Sequence, residues 1–199
     1  MVIPKRLSQL AIRALRGQLS GAMKFKLPML LAPLGILAMT TPSKAELKVG
    51  DNAPEVTGIT ETGAKLNFSD VYAKQLYTLV YFFPKADTPG CTAQGCSLRD
   101  AYENLTQKGV AVLGVSLDHA GAQKTFKEKF HFPFTLIADP EQTVVNAFGV
   151  AVKSVPMVGS FASREAFLIK DGKIIWTDYH ASTSKQAEDV LKVIAGQHG

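Results

Sequence analysis

Residues Leu76 to Phe83, LYTLVYFF, form an eight-residue run in which only Thr78 is not mainly apolar. A run this dense in aromatic and branched side chains has no face to give to water. It reads as a central strand buried on both sides. Such a strand needs a layer above and a layer below, and the rest of the chain supplies them. VAVLGVS, Val110 to Ser116, is a second buried strand, and FTLIAD, residues 134–139, a third. Helical character runs from Cys91 to about Lys108, with Leu98, Tyr102 and Leu105 at helical spacing and Gly109 as the stop. AGAQKTFKEKFHF reads as an amphipathic helix, EQTVVNAFG as a short one, and LNFSDVYA as a short helix capped by Asn67 or Ser69. EAFLIKDGKIIWTD is a hairpin around Asp171-Gly172. SKQAEDVLKVIAG is a final helix with Ala187, Val190, Leu191 and Ile194 on one face. Strands alternating with helices, then a hairpin and a helix, predict an α/β domain. Its central sheet is mostly parallel or mixed, with helices on both faces.

That domain begins near residue 46. Residues 1–45 carry seven basic side chains and no acidic one, the first acid being Glu46. Removing those seven from the 22 basic residues leaves 15 against 17 acids in residues 46–199, a net charge of −2. The basic balance of the whole chain therefore belongs to its leader, and the body does not read as a nucleic-acid binder. Lys24 and Lys26 precede thirteen apolar residues, Leu27 to Met39, and Ser43-Lys44-Ala45 is a small-x-small cleavage signal. Thirteen residues fall short of the roughly 20 that span a bilayer. The leader predicts export with cleavage, to a periplasm or a thylakoid lumen. The alternatives are an uncleaved membrane anchor and an organellar transit peptide, the latter suggested by the Arg-rich, amphipathic first 22 residues.

The only two cysteines, Cys91 and Cys96, stand five positions apart behind Pro84, Pro89 and Gly90. Three readings of this pair are open. A metal site wants a second pair of ligands at similar spacing, and His119, His131, His180 and His198 are scattered. A structural disulfide suits an exported chain, but so short a loop gains little closure entropy. If Cys91 opens a helix, the two Cα atoms are also about 8.5 Å apart, beyond the roughly 7 Å that a disulfide tolerates. A redox pair explains the flanks best. At a helix N-terminus, unpaired amides and the helix dipole favour a negative sulfur. Gly90 admits a close backbone approach, Thr88 offers a hydroxyl, and the prolines stiffen the loop.

Pro84-Lys-Ala-Asp-Thr88-Pro-Gly-Cys91 resembles the P-x-x-x-T-x-x-C motif of peroxiredoxins. A second cysteine five residues later resembles the peroxiredoxin Q, or bacterioferritin comigratory protein, subfamily. The likeness extends over YFFPKADTPGCTAQGCSLRDAYENL, VLGVSLD, FKEKFHFPFTLIADP, AFGV and REAFLIKDGKI, nearly all of residues 48–197. It implies a thioredoxin-like fold over residues 46–199 and a thiol peroxidase that needs no metal, haem or flavin. In the roles it implies, Cys91 is the peroxidatic nucleophile and Cys96 the resolving cysteine. Thr88 hydrogen-bonds peroxide and thiolate, Pro84 shields the pocket, and Arg164 sets a fixed cation beside the sulfur. Glu165, next in sequence, stands where it can compete for that charge.

The implied substrates are hydrogen peroxide and alkyl hydroperoxides. The implied partner is a thioredoxin-like reductant, and the implied state is a monomer. Two other functions fit the cysteines: a dithiol oxidoreductase, which would usually carry C-x-x-C, and an exported binding domain with an inert disulfide. Other side chains read as ordinary: His119 and His131 solvated, Trp176 and the phenylalanines in the core or pocket wall, and FKEKF a surface helix. Asn67-Phe-Ser and Asn104-Leu-Thr are glycosylation sequons by letter only.

Overall fold

The structure, a computed structural model, describes residues 46–197. The leader, its cleavage signal and His198 lie outside the described residues.

The run at Leu76–Phe83 is the centre of the sheet. Strand β3 (Tyr77–Phe82) pairs in parallel with β4 (Val110–Ser116), Tyr77 opposite Val110 and Phe82 opposite Val115. On its other edge it pairs antiparallel with β8 (Glu165–Lys170), Phe82 opposite Glu165. Beyond β4 comes β5 (Thr135–Ala138), parallel, and beyond β8 comes β9 (Lys173–Asp178), antiparallel. A hairpin of β1 (Thr57–Thr60) and β2 (Lys65–Asn67) adds to β5, giving the order β2-β1-β5-β4-β3-β8-β9. The sheet is mixed, as the alternation of elements predicts.

Period-two alternation sorts β3 between two cores. Tyr77, Leu79 and Tyr81 face one layer: α2 (Pro89–Asp100), α3 (Tyr102–Gln107), α4 (Ala120–Phe130) and α6 (Gln186–Gly196). Val80 and Phe82 face the other, with α1 (Phe68–Lys74) and α5 (Thr143–Ala147). The first core holds an aromatic stack, Phe132 on Phe134 at 5.2 Å with Phe126 edge-on to Phe132 at 4.9 Å.

Several boundaries differ from the sequence reading. Leu76 is exposed and stands outside β3, packed beside Gly109, which takes φ +72 in the turn before β4. The helix expected from Cys91 to Lys108 begins at Pro89 and breaks at Ala101 into α2 and α3. Leu98, before the break, and Leu105, after it, are both fully buried. The β1–β2 hairpin was not expected, its strands being four and three residues long. Nor was a separate hairpin of β6 (Val152–Val155) and β7 (Gly159–Ala162), whose residues are mostly exposed and show no apolar alternation. Asn67 does precede α1, but its carboxamide accepts from Thr57 Oγ1 at 2.5 Å and donates to Asp70, leaving the helix amides uncapped. The Asp171-Gly172 turn forms as read, with both residues at positive φ, +49 and +70.

Candidate active site

Pro84, half-buried, leads the chain off β3 into a five-residue loop that is pinned on three sides. Ala86 N donates to Asp118 Oδ2 at 2.7 Å, and Asp118 is itself held by the Ser116 hydroxyl at 2.8 Å. Asp87 takes φ +59 and pairs with Lys129 at 2.7 Å. Thr88 Oγ1 donates to the Lys85 carbonyl at 3.0 Å.

Thr88 then serves as the N-cap residue of α2, in extended backbone at φ −95 and ψ 151. Its side chain is turned to Lys85, so it leaves the first-turn amides uncapped. Pro89 at the first helical position wastes no donor there. Cys91 falls in this first turn and is 1% exposed.

Arg164 arrives from the segment between β7 and β8. Its backbone is tied by Ala181 N, which donates to the Arg164 carbonyl at 3.2 Å. Its Nη2 donates to Cys91 Sγ at 3.4 Å, and its Nη1 donates to Gln94 Oε1. Gly90 leaves room for this: a Cβ there would lie 3.3 Å from Nη2. Successive residues of extended chain point to opposite faces, and the Glu165 carboxylate accepts from Ala151 N at 3.3 Å.

A permanent cation and a helix N-terminus thus converge on a sulfur that is out of water. Both stabilise negative charge on that sulfur and on any oxygen bonded to or leaving it. Beneath lies Tyr81. Burial pushes its phenol well up, with Cys91 adding to the rise and Arg164 opposing it, so it stays a neutral hydroxyl. Gly114 accommodates that hydroxyl, since a Cβ would stand 2.6 Å from it.

Cys96 is half-buried on the same unbroken helix, and both thiols are free. Five residues of α-helix separate their Cα atoms by about 8.5 Å, too far for a disulfide. The two sulfurs can join only when α2 opens between them.

The structure therefore brings Cys91 and Arg164 together, puts Thr88 and Pro84 on the entering loop, and holds Cys96 apart. It adds three residues that the sequence reading passed over. Gln94, wholly buried, orients Arg164 and donates to Gln186 Oε1 at 2.8 Å. Its spacing of three from Cys91 puts it on the same helical face, a signal that was available. Asp118 and Gln186 act from distant elements and carry no local signature. Among the described residues no group of three or more His, Cys, Asp or Glu is placed to hold a metal ion.

Residues 49–177 match the model of the AhpC/TSA family. Peroxiredoxin Bcp of Escherichia coli (strain K12) is 40% identical over 141 residues, which cover 68% of this chain and 89% of that protein. The chloroplastic peroxiredoxin Q of Oryza sativa subsp. japonica is 31% identical over 147 residues, covering 73% of this chain and 65% of that one. Among solved structures, the peroxidoxin BcpB of Mycobacterium tuberculosis superposes with a TM-score of 0.70 at 25% identity, over 76% of this chain and 98% of the other.

Proposed function

The chain belongs to the AhpC/TSA family, as a thiol peroxidase of the Bcp and peroxiredoxin Q kind, and from that premise we propose a two-cysteine cycle for it. The observation that carries the proposal is the Arg164 guanidinium at 3.4 Å from the Cys91 sulfur, at the open end of a helix.

The Cys91 thiolate attacks the terminal oxygen of hydrogen peroxide or an alkyl hydroperoxide. An S–O bond forms, the O–O bond breaks, and the leaving oxygen takes a proton to depart as water or alcohol. Arg164 and the Cys91 amide stabilise the charge that spreads over both oxygens. The Thr88 hydroxyl has committed its proton to Lys85, so its oxygen is an acceptor, suited to orienting the peroxide O–H. Pro84 shields the pocket. The product is a Cys91 sulfenic acid.

The first turns of α2 then open and the Cys96 thiol attacks. The S–O bond breaks, a disulfide forms, and the hydroxyl leaves with the thiol proton as water. A thioredoxin-like dithiol returns both cysteines to thiols by exchange, through a mixed disulfide. We place this cycle in a monomer, exported and freed of its leader after Ala45. The leader's charge and apolar pattern support that placing, and N-terminal sequencing of protein from its host tests it.

The cycle is tested by mixing the reduced protein with one equivalent of hydrogen peroxide and following thiol loss by stopped flow. Rapid loss of both thiols, with a mass decrease of two hydrogens and no covalent dimer, is the expected result. Loss no faster than for a free thiol would overturn it.

A further inference from the structure

The loop that follows β3 and the turn that follows β4 leave the sheet side by side, because the two strands are parallel and paired to Phe82 and Val115. The last tie between them is Phe83 N, which donates to the Val115 carbonyl at 3.0 Å. Just beyond, the Asp118 carboxylate reaches across to the loop, where its Oδ2 accepts from Ala86 N at 2.7 Å. The Thr88 hydroxyl donates to the Lys85 carbonyl at 3.0 Å. The Lys85 carbonyl and the Ala86 amide belong to one peptide unit, so Asp118 and Thr88 hold its two ends.

A peptide unit is rigid and planar, but it turns as a whole on the soft dihedrals that flank it. In the trans form its N–H and C=O point in opposite directions. By fixing the N–H, Asp118 decides where the Lys85 carbonyl points, and that carbonyl decides where the Thr88 proton goes. A carboxylate is a strong acceptor for a backbone amide. It also polarises the peptide, which makes the carbonyl at the far end a better acceptor for Thr88.

Asp118 is held in its turn. The Ser116 hydroxyl donates to the same oxygen, Oδ2, at 2.8 Å. Ser116 is wholly buried, and its oxygen accepts from Gln123 Nε2 at 2.7 Å and from Asp118 N at 3.2 Å. A hydroxyl has one proton and two lone pairs, so the proton is left for the carboxylate. Gln123, also wholly buried, is fixed on α4 by a second bond, to the Ile137 carbonyl of β5 at 3.0 Å. Every proton from the core to Thr88 is thus assigned.

We propose that Asp118 is a positioning residue for the peroxide, an assignment that rests on the cycle proposed above, in which Thr88 orients the peroxide O–H. Acting through the Lys85–Ala86 peptide, Asp118 fixes the Thr88 proton and keeps the Thr88 oxygen free as an acceptor. Without the carboxylate the peptide turns, the hydroxyl loses its fixed partner, and the peroxide loses an oriented lone pair. Asp118 itself touches neither peroxide nor sulfur.

The test follows first-turnover oxidation of Cys91 by hydrogen peroxide, by stopped flow, in the full-length protein and its variants. Loss of a hydrogen bond to a charged group corresponds to roughly a tenfold change, and Asp118→Ala is expected to slow the oxidation by that factor. Asp118→Asn is expected to stay within about threefold of the parent, because both donors use one oxygen and a carboxamide oxygen can take its place. In a Thr88→Val background, which has no proton to place, Asp118→Ala is expected to cost less than about twofold. Lys129→Gln is the control, since it frees the loop from its exposed ion pair with Asp87 and leaves the peptide held. It is expected to stay within about twofold of the parent. An equal loss from Asp118→Ala in both backgrounds would overturn the proposal, by showing a carboxylate that only steadies the loop. A loss in Lys129→Gln as large as that in Asp118→Ala would do the same. Should thermal melts show that Asp118→Ala does not fold, Ser116→Ala takes its place, with a slowing of roughly fivefold expected that vanishes in Thr88→Val. No slowing in Ser116→Ala would then overturn the proposal. Parent-like oxidation in Thr88→Val would remove the assignment and leave the two-cysteine cycle standing. Slow thiol loss in the parent would remove both.

Discussion

Arg164 Nη2 and Cys91 Sγ stand 3.4 Å apart, although one comes from the segment just before β8 and the other from the first turn of α2. The second guanidinium nitrogen is bound to Gln94 on the same helix, so the cation is held from two points. Removing a single preorganised donor from a site that stabilises developing oxygen charge costs about 10²–10³ in rate. Arg164→Gln is expected to slow the first-turnover oxidation of Cys91 by that factor. Arg164→Lys should recover only part of it, since an ammonium keeps the charge but cannot hold sulfur and carboxamide at once. Single-turnover stopped flow checks both. A loss in Arg164→Gln smaller than about threefold would remove the arginine from the reaction.

The Gly95 position is fixed by the aromatic stack. A Cβ there would lie 2.5 Å from Phe132 Cζ, and Phe132 is clamped between neighbouring rings. Overpacking a core of this kind costs about 1–3 kcal/mol, against which the helix preference of alanine returns about 1 kcal/mol. Gly95→Ala is expected to lose about 1 kcal/mol, a fall in Tm of about 2–4 °C. Adding Phe132→Leu should cost less in the Gly95→Ala background than in the parent, because the two changes share one contact. Additive losses in thermal melts would mean that the ring is free to move aside.

What the sequence discloses here follows the range of the forces involved. β3, β4, α4, α6 and the Asp171-Gly172 hairpin were legible because each carries its own periodicity or turn chemistry. Cys91, Cys96, Thr88 and Pro84 were legible because they lie within thirteen residues of one another. Arg164 was placed only through its resemblance to a known pattern, and nothing local marks it. Gln94 and Gln186 are polar side chains in a core, each made tolerable by a partner from another element. The short strands of β1, β2, β6 and β7 escape for a related reason. Three or four residues are too few to display a period, and pairing within the fold stabilises them.

Asp139 offers a pH signature. Its carboxylate accepts from Val145 N at 2.8 Å at the start of α5, and the side chain is buried. Burial raises its pKa above the ordinary 3.8, and the backbone amides of Thr143, Val144 and Val145 offset this only in part. The folded value therefore lies above the unfolded one. Between the two, the folded state binds more protons, so the stability from this group is full below about pH 3.8 and is lost as pH rises through the raised value. Asp139→Asn keeps an acceptor for the amides and removes the titration. The Tm of the parent minus that of Asp139→Asn is expected to fall as pH rises from acid to neutral. A difference that grows instead would mean that the amides outweigh burial.

The two cysteines divide the cycle into steps that substitutions can separate. Cys91→Ser removes the nucleophile, and peroxidase turnover is expected to vanish into the background. Cys96→Ser leaves the Cys91 and Arg164 geometry untouched, since Cys96 lies on the intact helix away from the sulfur pocket. Its first oxidation should match the parent within about twofold. It should then stop as a sulfenic acid, detectable as a one-oxygen mass gain and as an adduct with a sulfenate-specific carbon nucleophile. Steady-state turnover with a thioredoxin-like dithiol should collapse, because the disulfide that such a reductant attacks cannot form. Undiminished turnover in Cys96→Ser would show that the reductant acts directly on the Cys91 sulfenic acid, and that α2 need not open for catalysis.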